Sequence, residues 1–303
     1  MKAGEERASS RSYLVGGAEI PARPLTPALY LVATPIGNLA DITLRALETL
    51  AAADVLACED TRVTRVLLDR YGIRQRPTPY HEHNAAEAGP RLIDALEGGR
   101  SVALVSDAGT PLVSDPGYRL VGEALARGLK VVPIPGPSST LAALAGSGLP
   151  TDTFLFAGFL PVKDGQRRTR LEELRSVAAT LIFFESPRRL AGTLAAMADI
   201  YGDRPAAIGR ELTKAFEEFR RGNLPELAAH YAQADTPKGE VVLCVGPPTE
   251  AAPGAADVDT MLLSLAAEMP ASKAAAEAAR LTGQPKGDLY RRLLELKEGG
   301  GGG

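Results

Sequence analysis

The feature that most restricts the fold of this chain is a repeated alternation of short apolar runs with longer amphipathic segments. From Leu29 onward, runs such as LYLVAT, DVLAC and SVALVSD alternate with segments such as ITLRALETLAAA and TRVTRVLLDRYG. Short apolar runs are typical of buried strands, and amphipathic segments of this length are typical of helices. Their alternation predicts a parallel sheet with helices on both faces. We assign this first α/β domain to residues 29–148, because the turn-forming stretch GLPTDTF follows it.

A second series of elements follows, and it predicts a different kind of sheet. Runs such as TLIFFES, PAAIGREL, EFRRGNL and EVVLCVG lie in residues 149–248, together with a basic helix from about Gly165 to Ser176. Near the end of this region strands follow one another directly, which favours a mixed sheet. The predicted fold class is therefore α/β with two domains, the second of which has the mixed sheet.

The two ends of the chain have different compositions. Residues 1–28 are charged, contain proline and lack the apolar core of a secretory signal, so we expect a disordered leader. Residues 258–298 follow a Pro/Ala/Gly-rich linker and predict two short helices around Gly283, a helix-turn-helix-like module. A packing or dimerisation hairpin is the alternative interpretation of this pair. Residues 299–303, all glycine, are expected to be a flexible tail.

Composition and charge exclude several classes of protein. No uninterrupted apolar run approaches the roughly 20 residues that span a bilayer, so we expect no membrane association and a cytoplasmic location. A net charge of -3 argues against uniform electrostatic coating of nucleic acid. Local arginine clusters could still bind phosphates, or could be solvated faces. These clusters are Arg167, Arg168 and Arg170; Arg188 and Arg189; Arg220 and Arg221; and Arg291 and Arg292.

The sequence predicts neither a disulfide nor a metal site. Cys58 and Cys244 each lie in or at the end of an apolar run, which is typical of buried free thiols. His81 and His83 in HEH could form a metal-binding pair if the segment is extended, but no third ligand is evident.

Four unusual loops lie where strands of the first domain are expected to end. They are TPIGN (34–38), EDTR (59–62), SDAGTP (106–111) and PGPSS (135–139). In a doubly wound sheet, ligands bind outside the carboxyl ends of the strands, so these loops should converge on one crevice. They offer main-chain groups and small side chains but few cations, which favours a flat, hydrogen-bonding ligand over a phosphate. S-adenosylmethionine, an adenosine with an amino-acid tail and no phosphate, fits that description.

Several residues in or near these loops are explained by helix capping. Asp115 followed by Pro116, and Ser186 followed by Pro187, place a side-chain acceptor and a fixed φ at a helix start. We also predict N-caps at three further positions, which are Asp41, Asp60 and Ser138. Capping does not explain the bare main chain of SDAGTP.

These loops together resemble the tetrapyrrole methylase family, the class III S-adenosylmethionine-dependent methyltransferases. The resemblance covers about residues 29–247 and the helical tail, in the motifs VATPIGNLADIT, EDTR, HEHN, VALVSDAGTPLVSDPG, PGPSS, GFLP, FFESPRR and RELTK. Within the family, these motifs resemble the branch that methylates the ribose 2′-oxygen of a cytidine in the decoding region of 16S ribosomal RNA. The resemblance implies two α/β domains with S-adenosylmethionine in the cleft between them, the small ribosomal subunit as partner, and a homodimer.

The resemblance also implies a set of cofactor-binding residues. One departure is Ser139, where many members have alanine after PGPS, and its hydroxyl could add a contact. The implied residues are Pro35, Gly37, Asn38, Asp107, Ala108, Gly109, Thr110, Pro111, Ser138, Ser139, Phe184, Glu185 and Gly239.

For the chemical step, we consider two groups of candidate catalytic residues. Glu59 or Asp60 could accept the proton of a ribose hydroxyl, with Arg62 orienting the carboxylate or holding a phosphate. Lys214 with Glu211 could act from the facing domain. Asp60 could equally be only a helix cap, and Lys214 could be only an RNA contact.

Two other functions remain open from the residues. A methyltransferase of the same fold could act on a tetrapyrrole or a small precursor, although the acidic EDTR loop at the cleft mouth disfavours a carboxylated ring. A non-enzymatic RNA-binding assembly protein could use the helical tail alone.

Overall fold

The computed structural model forms two compact units, residues 1–247 and residues 248–303. The first unit contains two five-stranded sheets and a hairpin, and the described part of the second is helical. None of the helices in the described part of the chain is long and apolar enough to cross a bilayer. The structure describes residues 11–113, 117–248, 255–282 and 284–299.

A β-hairpin of strands β1 (Ser12–Val15) and β2 (Ala18–Pro21) precedes the first sheet. Its two turn residues, Gly16 and Gly17, both have positive φ, as the type I′ hairpin turn requires. Tyr13 is buried in the core of the first domain. The prediction of a disordered leader is therefore wrong for its described part, because SYLVGGAEIP pairs with itself and buries an aromatic ring. Residues 1–10 lie outside the described residues.

The first sheet is wholly parallel, as predicted. From edge to edge its strands run in the order β5, β4, β6, β3, β7. These strands are β3 (Leu29–Val32), β4 (Val55–Cys58), β5 (Pro77–Pro79), β6 (Val102–Val105) and β7 (Val131–Ile134).

Four helices cover the two faces of this sheet. All four residues of β6 are buried, since Val102 and Leu104 point to one face and Ala103 and Val105 to the other. The second pair packs with α1 (Leu44–Ala52) and α2 (Thr61–Arg70), and the first pair packs with α3 (Ala85–Glu97) and α4 (Tyr118–Ala126). The apolar runs are continuous because each strand is covered on both sides.

The second sheet is mixed, as predicted, in the order β11, β10, β12, β9, β8. Only β8 and β9 pair in parallel among its described neighbours; the other pairs are antiparallel. Three helices, α6, α7 and α8, share a core with one face of this sheet. The elements are β8 (Phe154–Phe159), α6 (Asp164–Leu174), β9 (Thr180–Glu185), α7 (Leu190–Tyr201), β10 (Pro205–Arg210), β11 (Glu218–Asn223), α8 (Leu224–Gln233) and β12 (Val241–Val245).

Helix α5 (Ser139–Ser147) follows β7 in the chain but packs on the other face of the second sheet. Its Ala143 and Leu144 share a core with Ile182 and Cys244 of that sheet. A Cβ built on Gly146 would overlap the ring of Phe219 at its Cζ atom, so only glycine permits this approach. Helix α5 therefore joins the two domains that the sequence divides at residue 148.

Two of the predicted caps are confirmed. The Asp60 side chain accepts a hydrogen bond from the backbone N–H of Arg62 at the start of α2, and Ser138 caps α5 in the same way. Asp115 and Pro116 lie outside the described residues.

The caps predicted at Asp41 and Ser186 are wrong. Asp41 ends a short 3₁₀ turn, and the side chain of Thr43 caps α1 instead. Helix α7 begins at Leu190, because the residues after Ser186 first form a turn in which the N–H of Arg189 donates to the Ser186 carbonyl.

The second unit consists, in its described part, of α9 (Ala255–Glu268), α10 (Ala271–Thr282) and α11 (Lys286–Gly299). Their apolar faces form a separate core that includes Val258, Leu262 and Leu293. The predicted helix pair corresponds to α10 and α11, and α9 is an addition to it. Gly283, expected at the turn, lies outside the described residues.

Candidate functional site

A cavity of about 380 Å³ lies between the two sheets of the first unit. Both domains contribute to it, as expected for a ligand site at the carboxyl end of a parallel sheet. The lining is mostly apolar and small, and Glu185 and Glu240 are its charged members. The lining residues are Ile36, Ala108, Gly109, Thr110, Val113, Ser138, Ser139, Thr140, Phe159, Phe184, Glu185, Ser186, Pro187, Leu212, Gly239, Glu240, Val241 and Val242.

Main-chain hydrogen bonds hold two of the first-domain loops together at this cavity. Thr34 and Gly109 each donate a backbone N–H to the carbonyl of the other, both at 2.9 Å. The Thr34 hydroxyl also donates to the Ser106 carbonyl at 3.2 Å. Gly109 has a φ of 81°, in the left-handed region that glycine adopts without strain. The bare main chain of SDAGTP is therefore required by the crossing of these loops.

The start of helix α5 faces the same cavity. Ser138 caps the helix, and Ser139 and Thr140 form its first turn. Thr140 is buried, and its hydroxyl has no hydrogen-bond partner among the described residues. A helix N-terminus favours negative charge, and an unpartnered hydroxyl requires a polar partner. This corner fits a ligand that carries a carboxylate or hydroxyl group.

The second domain supplies an aromatic wall. The ring of Phe184 packs edge-to-face against Phe156 at 4.8 Å and against Phe159 at 5.5 Å between centroids. Phe159 is 59% exposed although it is a large apolar residue. Exposed aromatic surface beside small polar groups suits a flat heterocycle.

A buried carboxylate organises the loop that follows β9. Glu185 accepts hydrogen bonds from the Thr193 hydroxyl at 2.6 Å and from the Ser186 N–H at 2.7 Å. Arg189 Nε lies 3.2 Å from Glu185 Oε1 but is not aligned for a hydrogen bond, so their attraction is electrostatic. Arg189 also donates to the Leu160 carbonyl at 2.7 Å. Glu185 thus fixes the second-domain wall rather than projecting freely into the cavity.

A second cavity, of about 320 Å³, adjoins the first and shares Ile36 and Ala108 with it. Helix α2 forms one wall, and the loops TPIGN and SDAGTP form the others. Its remaining lining residues are Thr34, Pro35, Gly37, Leu39, Val63, Thr64, Val66, Leu67, Ser106 and Asp107.

The candidate base Asp60 is engaged in structural hydrogen bonds. Arg62 Nη2 lies 2.6 Å from Asp60 Oδ2, and the Arg62 backbone N–H donates to Oδ1 at 2.8 Å. These hydrogen bonds, the side-chain one first, lower the pKa of Asp60 to about 2. A carboxylate with so low a pKa accepts a proton poorly at neutral pH. Asp60 therefore fits the capping role, with Arg62 held at the domain surface. Glu59, the other candidate, is half-buried beside it.

The second candidate group forms one compact cluster. Lys214 Nζ lies 2.8 Å from Glu211 Oε1 and 3.0 Å from Glu240 Oε2. Partial burial opposes the charge of Lys214, but its hydrogen bonds with the two carboxylates raise its pKa overall. The Lys214 hydrogen bond, followed by the Glu240 N–H, lowers the pKa of Glu211. Lys214 is protonated at neutral pH and so cannot accept a proton, and the lowered pKa of Glu211 makes its carboxylate a weaker base.

The predicted cofactor residues divide between the two cavities. Pro35, Gly37 and Asp107 line only the second cavity, and Ala108 lines both. Asn38 and Pro111 line neither; the Asn38 side chain instead accepts the N–H of Ala40. The predicted residues that line only the first cavity are Gly109, Thr110, Ser138, Ser139, Phe184, Glu185 and Gly239.

Ten lining residues of the first cavity were missed as binding residues, which are Ile36, Val113, Thr140, Phe159, Ser186, Pro187, Leu212, Glu240, Val241 and Val242. Thr140 directly follows PGPSS and Phe159 lies in GFLP, so both could have been found by including the residues in and next to these motifs. Val113 and Leu212 have no sequence signal, since they line the cavity only because the loops converge.

The cysteines and most of the clustered arginines are explained by burial and by ion pairs. Cys58 and Cys244 are buried free thiols, as predicted, and burial raises the pKa of Cys244 to about 12. Among the described residues, no group of three or more His, Cys, Asp or Glu side chains is arranged to hold a metal. Most members of the arginine clusters are in ion pairs, for example Arg168 with Asp199 and Arg292 with Asp259.

The chain is similar to known proteins over nearly its whole length. Residues 28–228 match the model for Tetrapyrrole (Corrin/Porphyrin) Methylases, and residues 252–297 match that for the RsmI C-terminal HTH domain. A protein of Mesorhizobium japonicum named ribosomal RNA small subunit methyltransferase I is 75% identical over 96% of this chain and 99% of its own length. A protein of the same name from Pseudomonas aeruginosa is 46% identical over 88% of this chain and 96% of its own length.

The solved structures agree in fold. Uroporphyrin-III-C-methyltransferase from Thermus thermophilus is 24% identical and has a TM-score of 0.52, covering 73% of this chain and 94% of its own. At that level of identity the likeness concerns the fold alone.

Proposed function

Because this chain belongs to the tetrapyrrole methylase family and, within it, to the ribosomal RNA small subunit methyltransferases I, we propose that it methylates 16S ribosomal RNA with S-adenosylmethionine as donor. The observation that carries this proposal is the cavity between the two sheets. It combines bare main chain, an aromatic wall and an unpartnered hydroxyl with an absence of cations among its lining residues. That combination suits a nucleoside with an amino-acid tail and disfavours a phosphorylated ligand.

Named residues of the first cavity, which we call the donor cavity as part of this proposal, could hold each part of the donor. The N-terminal end of α5, with Ser139 and the Thr140 hydroxyl, would bind the carboxylate of its amino-acid tail. Phe159 and Phe184 would pack against the adenine. When bound, the donor supplies an electrophilic methyl group on a positively charged sulfur.

We further propose that the acceptor is the ribose 2′-oxygen of a cytidine, as the motif resemblance implies. Methyl transfer to oxygen requires the acceptor, the methyl carbon and the sulfur to be aligned, and positioning contributes roughly 7 to 11 kcal/mol. A general base contributes about 10² to 10⁴ in rate, equivalent to ~3 to 5 kcal/mol. The larger contribution therefore comes from two adjoining cavities that hold donor and acceptor together. The depressed pKa of Asp60 and the charged state of Lys214 agree with a mechanism dominated by positioning.

The partner of the protein would be the small ribosomal subunit, reached in the cytoplasm. The unit of residues 248–303 would contact the RNA, since it matches a helix-turn-helix family and carries Lys273, Lys286 and Arg291. We also propose a homodimer, as the resemblance implies. Sedimentation equilibrium at micromolar concentration should give twice the chain mass of 31.8 kDa.

The deciding experiment maps a methyl group on ribosomal RNA. Purified protein is incubated with isotopically labelled S-adenosylmethionine and with small subunits whose decoding-region cytidines carry no 2′-O-methyl group. Nuclease digestion and mass spectrometry should then find one 2′-O-methylcytidine in the decoding region. Label on a base, on another nucleotide, or on an added tetrapyrrole in place of RNA would reject the proposed acceptor. Absence of donor binding would reject the enzyme assignment itself.

A further inference from the structure

The second cavity has walls that the donor site does not explain. Val63 and Val66 lie three residues apart on α2, and they are 44% and 59% exposed although both line the cavity. On the same helix, Leu68 lies on the opposite side in the core, and Leu67 belongs to the core and also lines the cavity. Adjacent apolar side chains left open beside a concave site mark a surface that a ligand covers.

One polar group is fixed at the edge of this apolar space. Asp107 Oδ1 accepts the backbone N–H of Asp60 at 2.9 Å, which anchors the carboxylate. Its other oxygen has no hydrogen-bond partner among the described residues. Asp107 lines the second cavity and not the first, so its free acceptor is offered to a ligand that lies beside the donor.

The chemistry of these walls selects a type of ligand. Val63, Val66 and Leu39 can pack against the flat faces of a base. The Asp107 carboxylate can accept a hydrogen bond from an exocyclic amino group. Cytosine presents such a donor at N4, whereas uracil presents a carbonyl oxygen that a carboxylate repels. Ile36 and Ala108 separate this space from the donor cavity, so a base bound here would bring its ribose to the shared wall.

We propose that the second cavity receives the base of the target nucleoside in single-stranded RNA, and that Asp107 selects a pyrimidine carrying an amino group. This inference rests on the proposed function, because it assigns the acceptor side of that same reaction. Asp107, implied by the resemblance as a donor-binding residue, is reassigned to the acceptor.

The first test fills the cavity without touching the donor site. In Val66→Trp the added ring occupies the space of the base, so methyl incorporation into small subunits should fall at least about 100-fold while donor affinity stays within about threefold. Leu125→Trp is the matched control. Leu125 is 58% exposed on α4 and lines neither cavity, so both measurements should remain at the wild-type values. Normal methylation by Val66→Trp would show that the second cavity does not receive the base.

The second test measures base selection. Small subunits are assembled with either cytidine or uridine at the mapped position, and initial rates are compared. The wild-type protein should prefer cytidine by about tenfold or more, and Asp107→Asn should bring the two rates within about threefold, because an amide can donate as well as accept. The amide keeps the acceptor for the Asp60 N–H, so the loop is retained. An unchanged preference would overturn the role of Asp107, even if the overall rate falls.

Measurements on the wild-type protein distinguish failure of the proposed function from failure of this inference. If it binds the donor but methylates neither substrate, the proposed function is wrong and this inference falls with it. If it methylates cytidine and Val66→Trp does so equally well, only the assignment of the second cavity fails.

Discussion

The side chain of Lys214, from the second domain, lies directly against Gly37 of the first. A Cβ built on Gly37 would be 2.8 Å from Lys214 Cε, closer than real carbon atoms approach. The ammonium group of the same lysine binds Glu240, which lines the donor cavity, while Gly37 lines the second cavity. One side chain therefore connects both domains at the point where the two cavities meet.

The first prediction concerns this contact. Gly37→Ala should displace Lys214 from its carboxylate partners and destabilise the protein by about 1 to 3 kcal/mol, the usual cost of overpacking. Urea unfolding measures the change. Combining it with Lys214→Ala should recover part of the loss, because the clash is then absent. Gly165→Ala is the control, since nothing lies within 4 Å of a Cβ at that exposed position. If the losses of stability in Gly37→Ala and Lys214→Ala simply add in the double variant, the contact between the two residues is contradicted.

The second prediction separates backbone strain from loss of the site at Gly109. Gly109 and Gly128 have φ values of 81° and 70°, so alanine at either position should cost roughly 1 kcal/mol. Of these two glycines, Gly109 lines the donor cavity and Gly128 does not. Isothermal titration should therefore show weaker binding of S-adenosylmethionine in Gly109→Ala, by about tenfold, and unchanged binding in Gly128→Ala. Equal affinities in the two variants would place the donor elsewhere.

The third prediction uses the pH dependence of Asp60. Its pKa is depressed to about 2, so its contribution to stability is complete above the unfolded pKa of about 4 and is lost as the pH falls toward 2. Asp60→Asn, which keeps a capping oxygen, should remove that acid-dependent part of the unfolding curve.

Asp60→Asn should also methylate at a rate within about tenfold of the wild type, with an unchanged pH profile between pH 6 and 9. A loss of about 100-fold or more at unchanged donor affinity would instead identify Asp60 as the general base.

The fourth prediction concerns the wall of the donor cavity. Glu185→Gln leaves the Arg189 guanidinium without its charged partner in a mostly buried position, so we expect a loss of about 2 to 3 kcal/mol of folding stability. Donor affinity should fall as well, because the Ser186 N–H is held by the same carboxylate. Glu172→Gln removes an exposed partner of Arg175 and should change stability by less than about 0.5 kcal/mol. Similar stability in both variants would refute the organising role of Glu185.

The fifth prediction tests whether the first unit alone binds the donor and the second unit contacts the RNA. A chain ending at Asp257 should bind S-adenosylmethionine as the full chain does, because the donor cavity lies wholly within the first unit. Its affinity for small subunits, and with it the methylation rate at low substrate concentration, should fall by about tenfold or more. Equal subunit affinity in the shortened protein would exclude the helical unit from RNA contact.

The sequence alone predicted the parallel and mixed sheets, the caps at Asp60 and Ser138, and most of the loops that line the cavities. Those features are local, since an apolar run covered on both faces or a serine before a helix has the same pattern wherever the chain then goes. The hairpin at Gly16 and Gly17 was equally local and could have been predicted from its alternation.

Only the tertiary structure decided which partner each local feature meets. Helix α5 follows the first sheet but packs on the second, Asp107 lies in the second cavity, and Lys214 crosses to Gly37. These relationships depend on how residues far apart in the chain approach each other, which a spacing within one segment does not encode. The sequence determined the two domains and the class of ligand that their loops can bind, and the packing of one domain on the other determined where the two cavities lie and which residues line them.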